Sequence, residues 1–357
     1  MEISFPPGFV WGAATASYQI EGGWNEDGRS PSIWDTYSKI PGKVLHGETG
    51  DVAADHYHPW KADVALINQL GIPAYRFSFA WPRILPAGFG VVNPKGLDFY
   101  DRLVDELLKA GIQPFPTLYH WDLPQVLEDA GGWTSRQTAF YFADYANVLV
   151  EHFSDRIANW ITINEPWVVS MMGYLSGVFA PGITDLVAAS SAVHNRLLGH
   201  GLAVQAMRAA ARQPLQIGIT LNLSSIESAS KSAEDQEAAR LHDVHLNRIF
   251  LDPLFFGKYP VEAENKLGFT FPTGFEKDLS IISVPTDFLG INNYSRNVMR
   301  YDSGAAPFHF SSVNPIGNSY SEMWEMAPQG LYDLLTRLKR DYPLKAVYIT
   351  ENGTAVT

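Results

Sequence analysis

Trp160-Ile161-Thr162-Ile163-Asn164-Glu165-Pro166-Trp167 is the stretch on which the reading of this chain turns. Ile161, Thr162 and Ile163 are β-branched and suit a pleated strand, and Pro166 removes the next backbone donor. The strand therefore ends at Asn164 and Glu165, with a carboxylate presented at its tip. The same pattern recurs near the C-terminus, where Ala346-Val347-Tyr348-Ile349-Thr350 runs into Glu351, Asn352 and Gly353.

A lone strand-end glutamate is most simply a solvated loop residue. Two of them, each abutting an asparagine, read differently. A facing pair of carboxyl groups is the equipment of glycoside hydrolysis, one acting as acid and base and the other as nucleophile.

Working outward, Phe9 to Ala16 reads as a first strand, followed by a loop carrying Gln19 and Glu21. Asp63 to Leu70 has a helical apolar stripe that Gly71 stops, and it feeds a strand over Ala74 to Phe79 that contains Arg76. Asn93 caps a helix with Pro94 in its first turn and Gly111 past its end, before a strand over Gln113 to Leu118. Thr134 and Gln137 form a capping-box pattern ahead of the helix that delivers the chain to the Trp160 strand. A helix over Leu186 to Arg212, a strand over Gln216 to Leu221 and a helix over Ala233 to Phe250 follow. A strand over Asp287 to Ile291 and a helix over Gln329 to Tyr342 then precede the final strand. Seven strands thus alternate with helices.

Strict alternation implies a parallel sheet with right-handed crossovers, either an open doubly wound sheet or a (β/α) barrel. Polar groups at strand after strand (Gln19, His120, Asn164 with Glu165, Asn222, Tyr294, Glu351) favour the barrel, which gathers its strand ends at one mouth. The expected fold class is α/β, of the (β/α)8 TIM-barrel type without its eighth βα unit, as a single domain over 1–357. No G-x-G-x-x-G opens a helix after the first strand and no P-loop is present, so nucleotide binding has no motif to rest on.

Composition narrows the function. Lys plus Arg number 26 against 38 for Asp plus Glu, a net charge of −12, which leaves no electrostatic footprint for nucleic acid. Cysteine is absent, so neither a disulfide framework nor a thiolate metal site is expected. No apolar run is long enough to span a bilayer, and Met1 to Pro7 lacks a basic region followed by an apolar one, so the expected location is cytoplasmic. His56 and His58 form an H-x-H, but it precedes a helix and finds no third ligand at matching spacing, so no metal or cofactor is expected. His242 and His245, i and i+3 on a helix, are assigned surface or packing roles.

Six motifs carry a resemblance. F-V-W-G-A-A-T-A-S-Y-Q-I-E-G (9–22), Y-R-F-S-F-A-W-P-R (75–83), L-Y-H-W-D-L-P (118–124), T-I-N-E-P (162–166), L-G-I-N-N-Y (289–294) and I-T-E-N-G (349–353) resemble, in order along the whole chain, glycoside hydrolase family 1, the β-glucosidase family. The resemblance implies a retaining β-glycosidase acting on a small-molecule β-glycoside, with Glu165 as acid/base and Glu351 as nucleophile. It further implies that Gln19, His120 and Asn164 hydrogen-bond the glycone, that Arg76 and Tyr294 flank the nucleophile, and that Trp324 floors the aglycone side. Asn222 and Asn292 fall where the family has supporting polar groups. Arg76 beside Glu351 would help keep the nucleophile ionised while Glu165 stays protonated.

The chain also departs from the family pattern. Asn293 stands where an aromatic is usual and Pro59 where a basic residue is usual. Only six residues follow Glu351, whereas a family member continues through an eighth βα unit and a segment that grips the far edge of the sugar. Two readings follow: a working β-glycosidase, or a weakly active or inactive sugar-binding relative. The uncovered edges of the first and last strands would favour a homo-oligomer in which a second copy packs over them.

Overall fold

The computed structural model describes residues 4–321 and 323–354. The chain divides into two compact units. One comprises Met1–Gly132, Asp144–Ile163 and Met207–Gln216, the other Trp133–Ala143, Asn164–Ala206 and Ile217–Thr357.

The first unit is built on parallel strands β1 (Gly12–Ala14), β2 (Ala74–Ser78), β3 (Gln113–Tyr119) and β4 (Asn159–Asn164), which lie side by side in chain order. Register runs Gly12 to Ala74, Tyr75 to Pro114 and Thr117 to Ile161. Every residue of β2 is buried, as expected for a parallel strand covered on both faces. The helix Pro94–Lys109 between β2 and β3 starts where the sequence says it should: the Asn93 side chain accepts from the Lys95 N–H, and Pro94 occupies the first turn. It buries Leu103, Val104 and Leu107. Gly111, at φ +74°, then turns the chain into β3.

The second unit carries parallel strands β5 (Gln216–Asn222), β7 (Phe288–Asn292) and β10 (Val347–Glu351), adjacent in that order. A small sheet of β6 (Ile226–Ser228), β8 (Asn297–Tyr301) and β9 (Phe310–Ser312) follows the ends of β5 and β7 in the chain. Among the described residues the large parallel strands number seven, as read from the alternation.

Four expectations need correction in detail. The first strand covers only Gly12–Ala14, because Phe5, Phe9 and Trp11 gather instead into an aromatic cluster with ring centroids 4.6–4.9 Å apart. Gln19 lies in a short helix, Ser17–Ile20, rather than in a loop, since the Gln19, Ile20 and Glu21 N–H groups bond back to Ala16 and Ser17. Thr134 ends a 3₁₀ turn, Gly132–Thr134, and the next helix begins at Arg136, so the capping box is displaced from the helix start. The helix read over Ala233 to Phe250 is broken by a π turn, Val244–Arg248, and resumes as Ile249–Phe256. Asn247 in that turn is fully buried and holds both the N–H and the C=O of Ser224, a pairing that the amphipathic pattern cannot report.

Candidate active site

β4 ends at Asn164 and Glu165 follows it, both buried. Glu165 has a left-handed backbone, φ +46°, which costs a non-glycine residue of order 1 kcal/mol and must be held by its surroundings. Three contacts hold it. The Glu165 N–H bonds the Thr220 carbonyl of β5 at 2.9 Å. The next carbonyl, of Pro166, accepts from Arg196 Nη1 at 2.9 Å and from Ser170 Oγ at 2.8 Å. Arg196, fully buried on the Leu186–Ala210 helix, also donates to Ser170 Oγ at 2.7 Å, so the turn after the glutamate is clamped by a guanidinium.

At the other glutamate β10 pairs with β7 through Tyr348 opposite Gly290 and Ile349 opposite Ile291, and then skips to Glu351 opposite Asn292. The skipped residue, Thr350, makes a bulge, the usual device by which a strand re-aims a side chain near its end. Thr350 Oγ1 donates to Asn292 Oδ1 at 2.7 Å and accepts from Thr220 Oγ1 at 3.2 Å. With its oxygen so occupied, the Asn292 amide nitrogen points at the β4 end, donating to Glu165 Oε1 at 2.6 Å and to Asn164 Oδ1 at 3.1 Å. One side chain thereby ties Thr350, the neighbour of Glu351, to the carboxylate of Glu165. Gly290 makes room for this chain of bonds: a Cβ there would lie 2.3 Å from Thr220 Oγ1 and 3.1 Å from Thr350 Cγ2.

Glu351 is half-buried, and its Oε2 accepts from the Tyr294 hydroxyl at 2.6 Å, a short bond of the charge-assisted kind. The Tyr294 ring stacks on Trp324, centroids 4.6 Å apart and planes 18° from parallel. One backbone and one side-chain bond lock the two strand ends: Asn293 N–H to Glu351 C=O at 3.0 Å, and Asn352 Nδ2 to Asn293 C=O at 2.7 Å. The Asn293 side chain donates to the carbonyls of Leu223 and Ser295, so a buried amide holds backbone where an aromatic would only pack. Asn222 ends β5 opposite Asn292.

The structure thus groups Asn164, Glu165, Asn292, Tyr294 and Glu351 at or just past strand ends of the second unit, with Trp324 brought to them by its stack on Tyr294. Gln19, Arg76 and His120 belong to the first unit. Arg76 is buried in β2 with Nε on Thr117 Oγ1 at 3.1 Å, His120 is buried just past β3 against Trp121, and Gln19 is exposed. The sequence reading missed Asp122, two residues beyond His120. It is fully buried, accepts from Ser17 Oγ at 2.8 Å, and is pushed up to about 7 by that burial, the Ser17 bond opposing. It pins the turn after β3 to the short helix that carries Gln19. Its place in H-W-D was the available signal. His56 and His58 pair with Asp63, Asp55 and Glu26, and among the described residues no group of three ligands could hold a metal ion.

A buried glutamate bound by an amide donor, and a second, half-buried one bound by a tyrosine hydroxyl, are two carboxyl groups in unlike surroundings, one after β4 and the other at the end of β10. That is the arrangement of a glycoside hydrolase that works by acid/base and nucleophilic catalysis. Residues 1–357 match the model of glycosyl hydrolase family 1, and the chain belongs to that family. It is 48% identical over 352 residues to β-glucosidase A of Thermotoga maritima, covering 98% of this chain and 78% of the relative. It is 44% identical to a β-glucosidase of Agrobacterium over 354 residues, 98% and 76% of the two chains. The solved family 1 β-glucosidase from Thermotoga maritima superposes with a TM-score of 0.95 at 47% identity, covering 99% of this chain and 79% of the other. The same Thermotoga enzyme in complex with deoxynojirimycin gives 0.94 at 47% identity and the same coverage. The fold class is accordingly α/β of the TIM-barrel type, and the chain is a glycoside hydrolase of the β-glucosidase kind.

Proposed function

We propose that this protein hydrolyses β-glucosides and related β-glycosides with retention, through a covalent glycosyl-enzyme intermediate. Glu351 is the nucleophile and Glu165 the acid in the first step and the base in the second. What supports this reading is the pair of strand-end carboxyl groups, Glu165 held by Asn292, which also holds Thr350 beside Glu351, and Glu351 held by Tyr294. Donors already fixed on both carboxylates need no reorganisation as charge shifts between them. The family 1 relatives named β-glucosidases support the glycone assignment, and the deoxynojirimycin complex of one of them supports a sugar-shaped ligand.

Within that reading Gln19, His120 and Asn164 hydrogen-bond the glycone hydroxyls, Arg76 supports the ionised nucleophile, and Trp324 stacked on Tyr294 floors the leaving-group side. No cofactor takes part. Assay of an aryl β-glucoside with the fresh product followed by NMR tests the reading: β-glucose should appear first and mutarotate later. First-formed α-glucose, or no turnover of any β-glycoside, would overturn it.

Self-association and a cytoplasmic location remain part of the proposal. Phe5, Phe9 and Trp11 are 53%, 46% and 56% exposed, an aromatic patch suited to a second copy of the chain. Among the described residues no helix is long and apolar enough to cross a membrane. Sedimentation velocity should show a dimer or larger species, and a monomer at micromolar concentration would contradict the self-association.

A further inference from the structure

Among the described residues of 317–326 most are exposed, Met323 and Met326 at 67% and 53%, yet Glu325 is only 9% exposed. The chain there folds back on itself, Met326 N–H to Ser319 C=O at 2.9 Å and Ser321 N–H to Trp324 C=O at 2.8 Å. What fixes this turn to the rest of the unit is Glu325. Its two carboxylate oxygens take the Nε and Nη2 of Arg296 at 3.0 Å each, a forked pair, and Oε1 also accepts from Asn318 at 2.6 Å. The Glu325 carbonyl accepts from Ser295 Oγ at 2.9 Å. Arg296 is itself braced from behind, with Nη1 2.8 Å from both oxygens of Glu227.

Three consecutive residues therefore hold two. Tyr294 stacks on Trp324, Ser295 bonds the Glu325 backbone, and Arg296 grips the Glu325 carboxylate. A planar fork restricts rotation as well as distance, which a single point charge would not. We infer that Arg296 and Glu325 are positioning residues that set leaving-group specificity, by holding the Trp324 indole parallel to Tyr294. The inference rests on Trp324 being the floor of the leaving-group side. The ion pair touches neither glutamate of the reaction, so its influence falls on how the aglycone is bound and not on the bond-making step.

The test compares a compact aryl β-glucoside with cellobiose, which shares the glycone and presents a second sugar as leaving group. Arg296→Met and Glu325→Gln should each raise KM for cellobiose about tenfold or more while changing kcat for the aryl glucoside less than about threefold. Arg296→Lys keeps the charge but not the fork and should recover only part of the loss. Trp324→Ala is run alongside and should show the same shift in the cellobiose-to-aryl KM ratio. If Trp324→Ala shifts that ratio and the Arg296 and Glu325 variants do not, the positioning role is overturned and the aglycone reading stands. If Trp324→Ala leaves the ratio unchanged, the aglycone reading itself fails. Equal losses on both substrates for Glu325→Gln, whose shape is conserved, would also overturn specificity control.

Discussion

Asn292 joins the two halves of the proposed chemistry, since its amide nitrogen serves Glu165 and its oxygen is held by Thr350 beside Glu351. A hydrogen bond to a charged group contributes about 1.5–3 kcal/mol, so Asn292→Ala should lower kcat/KM by roughly ten- to a hundredfold with little change in fold. Steady-state kinetics with parallel circular dichroism check this, and an unchanged kcat/KM would remove Asn292 from the site. The two glutamates should fail in different ways. Glu165→Ala should impair substrates with poor leaving groups far more than activated aryl glucosides, which need little protonation. Glu351→Gly should abolish both, with partial recovery by a small anion that occupies the vacated space. Equal losses on both substrate types for Glu165→Ala would argue against its role as acid.

Strand packing places a further demand on Gly290. It lies in β7 opposite Thr220 of β5 and Tyr348 of β10, and a methyl there would meet Thr220 Oγ1 at 2.3 Å and Thr350 Cγ2 at 3.1 Å, too close for the Thr220 side chain to keep its place. Gly290→Ala should cost about 1–3 kcal/mol of stability and lower kcat as Thr350 and Asn292 shift, checked by denaturant midpoint and by kcat together. Such a requirement is hard to read beforehand, because the sequence shows Leu-Gly-Ile as any strand might. The ends of the strands were legible: β-branched runs stopped by Pro166 or Gly353 marked where Glu165 and Glu351 would stand. The left-handed turn at Glu165, the bulge at Thr350 and the π turn at Val244–Arg248 were not. Each depends on a partner far along the chain (Thr220, Asn292, Ser224), and local periodicity carries no record of it. Arg196, which clamps the turn after Glu165, was hidden for the same reason inside a long apolar helix.

Buried titratable groups give folding a pH dependence that can be predicted in sign. His242 is pulled down to about 4 and His245 well below the usual imidazole range, both by burial. Trp167, Phe269, Phe308 and Phe310 pack around the His245 ring, and His242 lies beside it. His194 is lowered by burial, its bond to Asp278 opposing. In the window from about 4 to the unfolded value near 6.5 the unfolded chain binds more protons at these sites, so stability should rise with pH there and level off above. Asp122, raised to about 7, opposes the trend across much of the same window, because folded Asp122 keeps a proton that the unfolded chain releases. His242 and His245 together outweigh the one aspartate, and His194 acts in their direction. The unfolding free energy should therefore increase from about pH 4.5 to 6.5. His245→Phe should flatten the rise, and Asp122→Asn should steepen it. Denaturant titrations at several pH values check this, and a curve that His245→Phe leaves unaltered would contradict it. Of the surface or packing roles read for these histidines, His245, 5% exposed, takes the packing one.

Everything proposed for function turns on which carboxylate bonds to the sugar. Incubation with an activated 2-deoxy-2-fluoro-β-glucoside slows both steps, and the fluoride and aryl leaving groups of such reagents let the first outrun the second, so the glycosyl-enzyme accumulates. Mass spectrometry of the digested protein should then find one added fluoroglucosyl group, on the peptide containing Glu351 and absent from the Glu351→Gly variant. A label on Glu165, or rapid turnover of natural β-glucosides with no label on any carboxylate, would contradict the assignment.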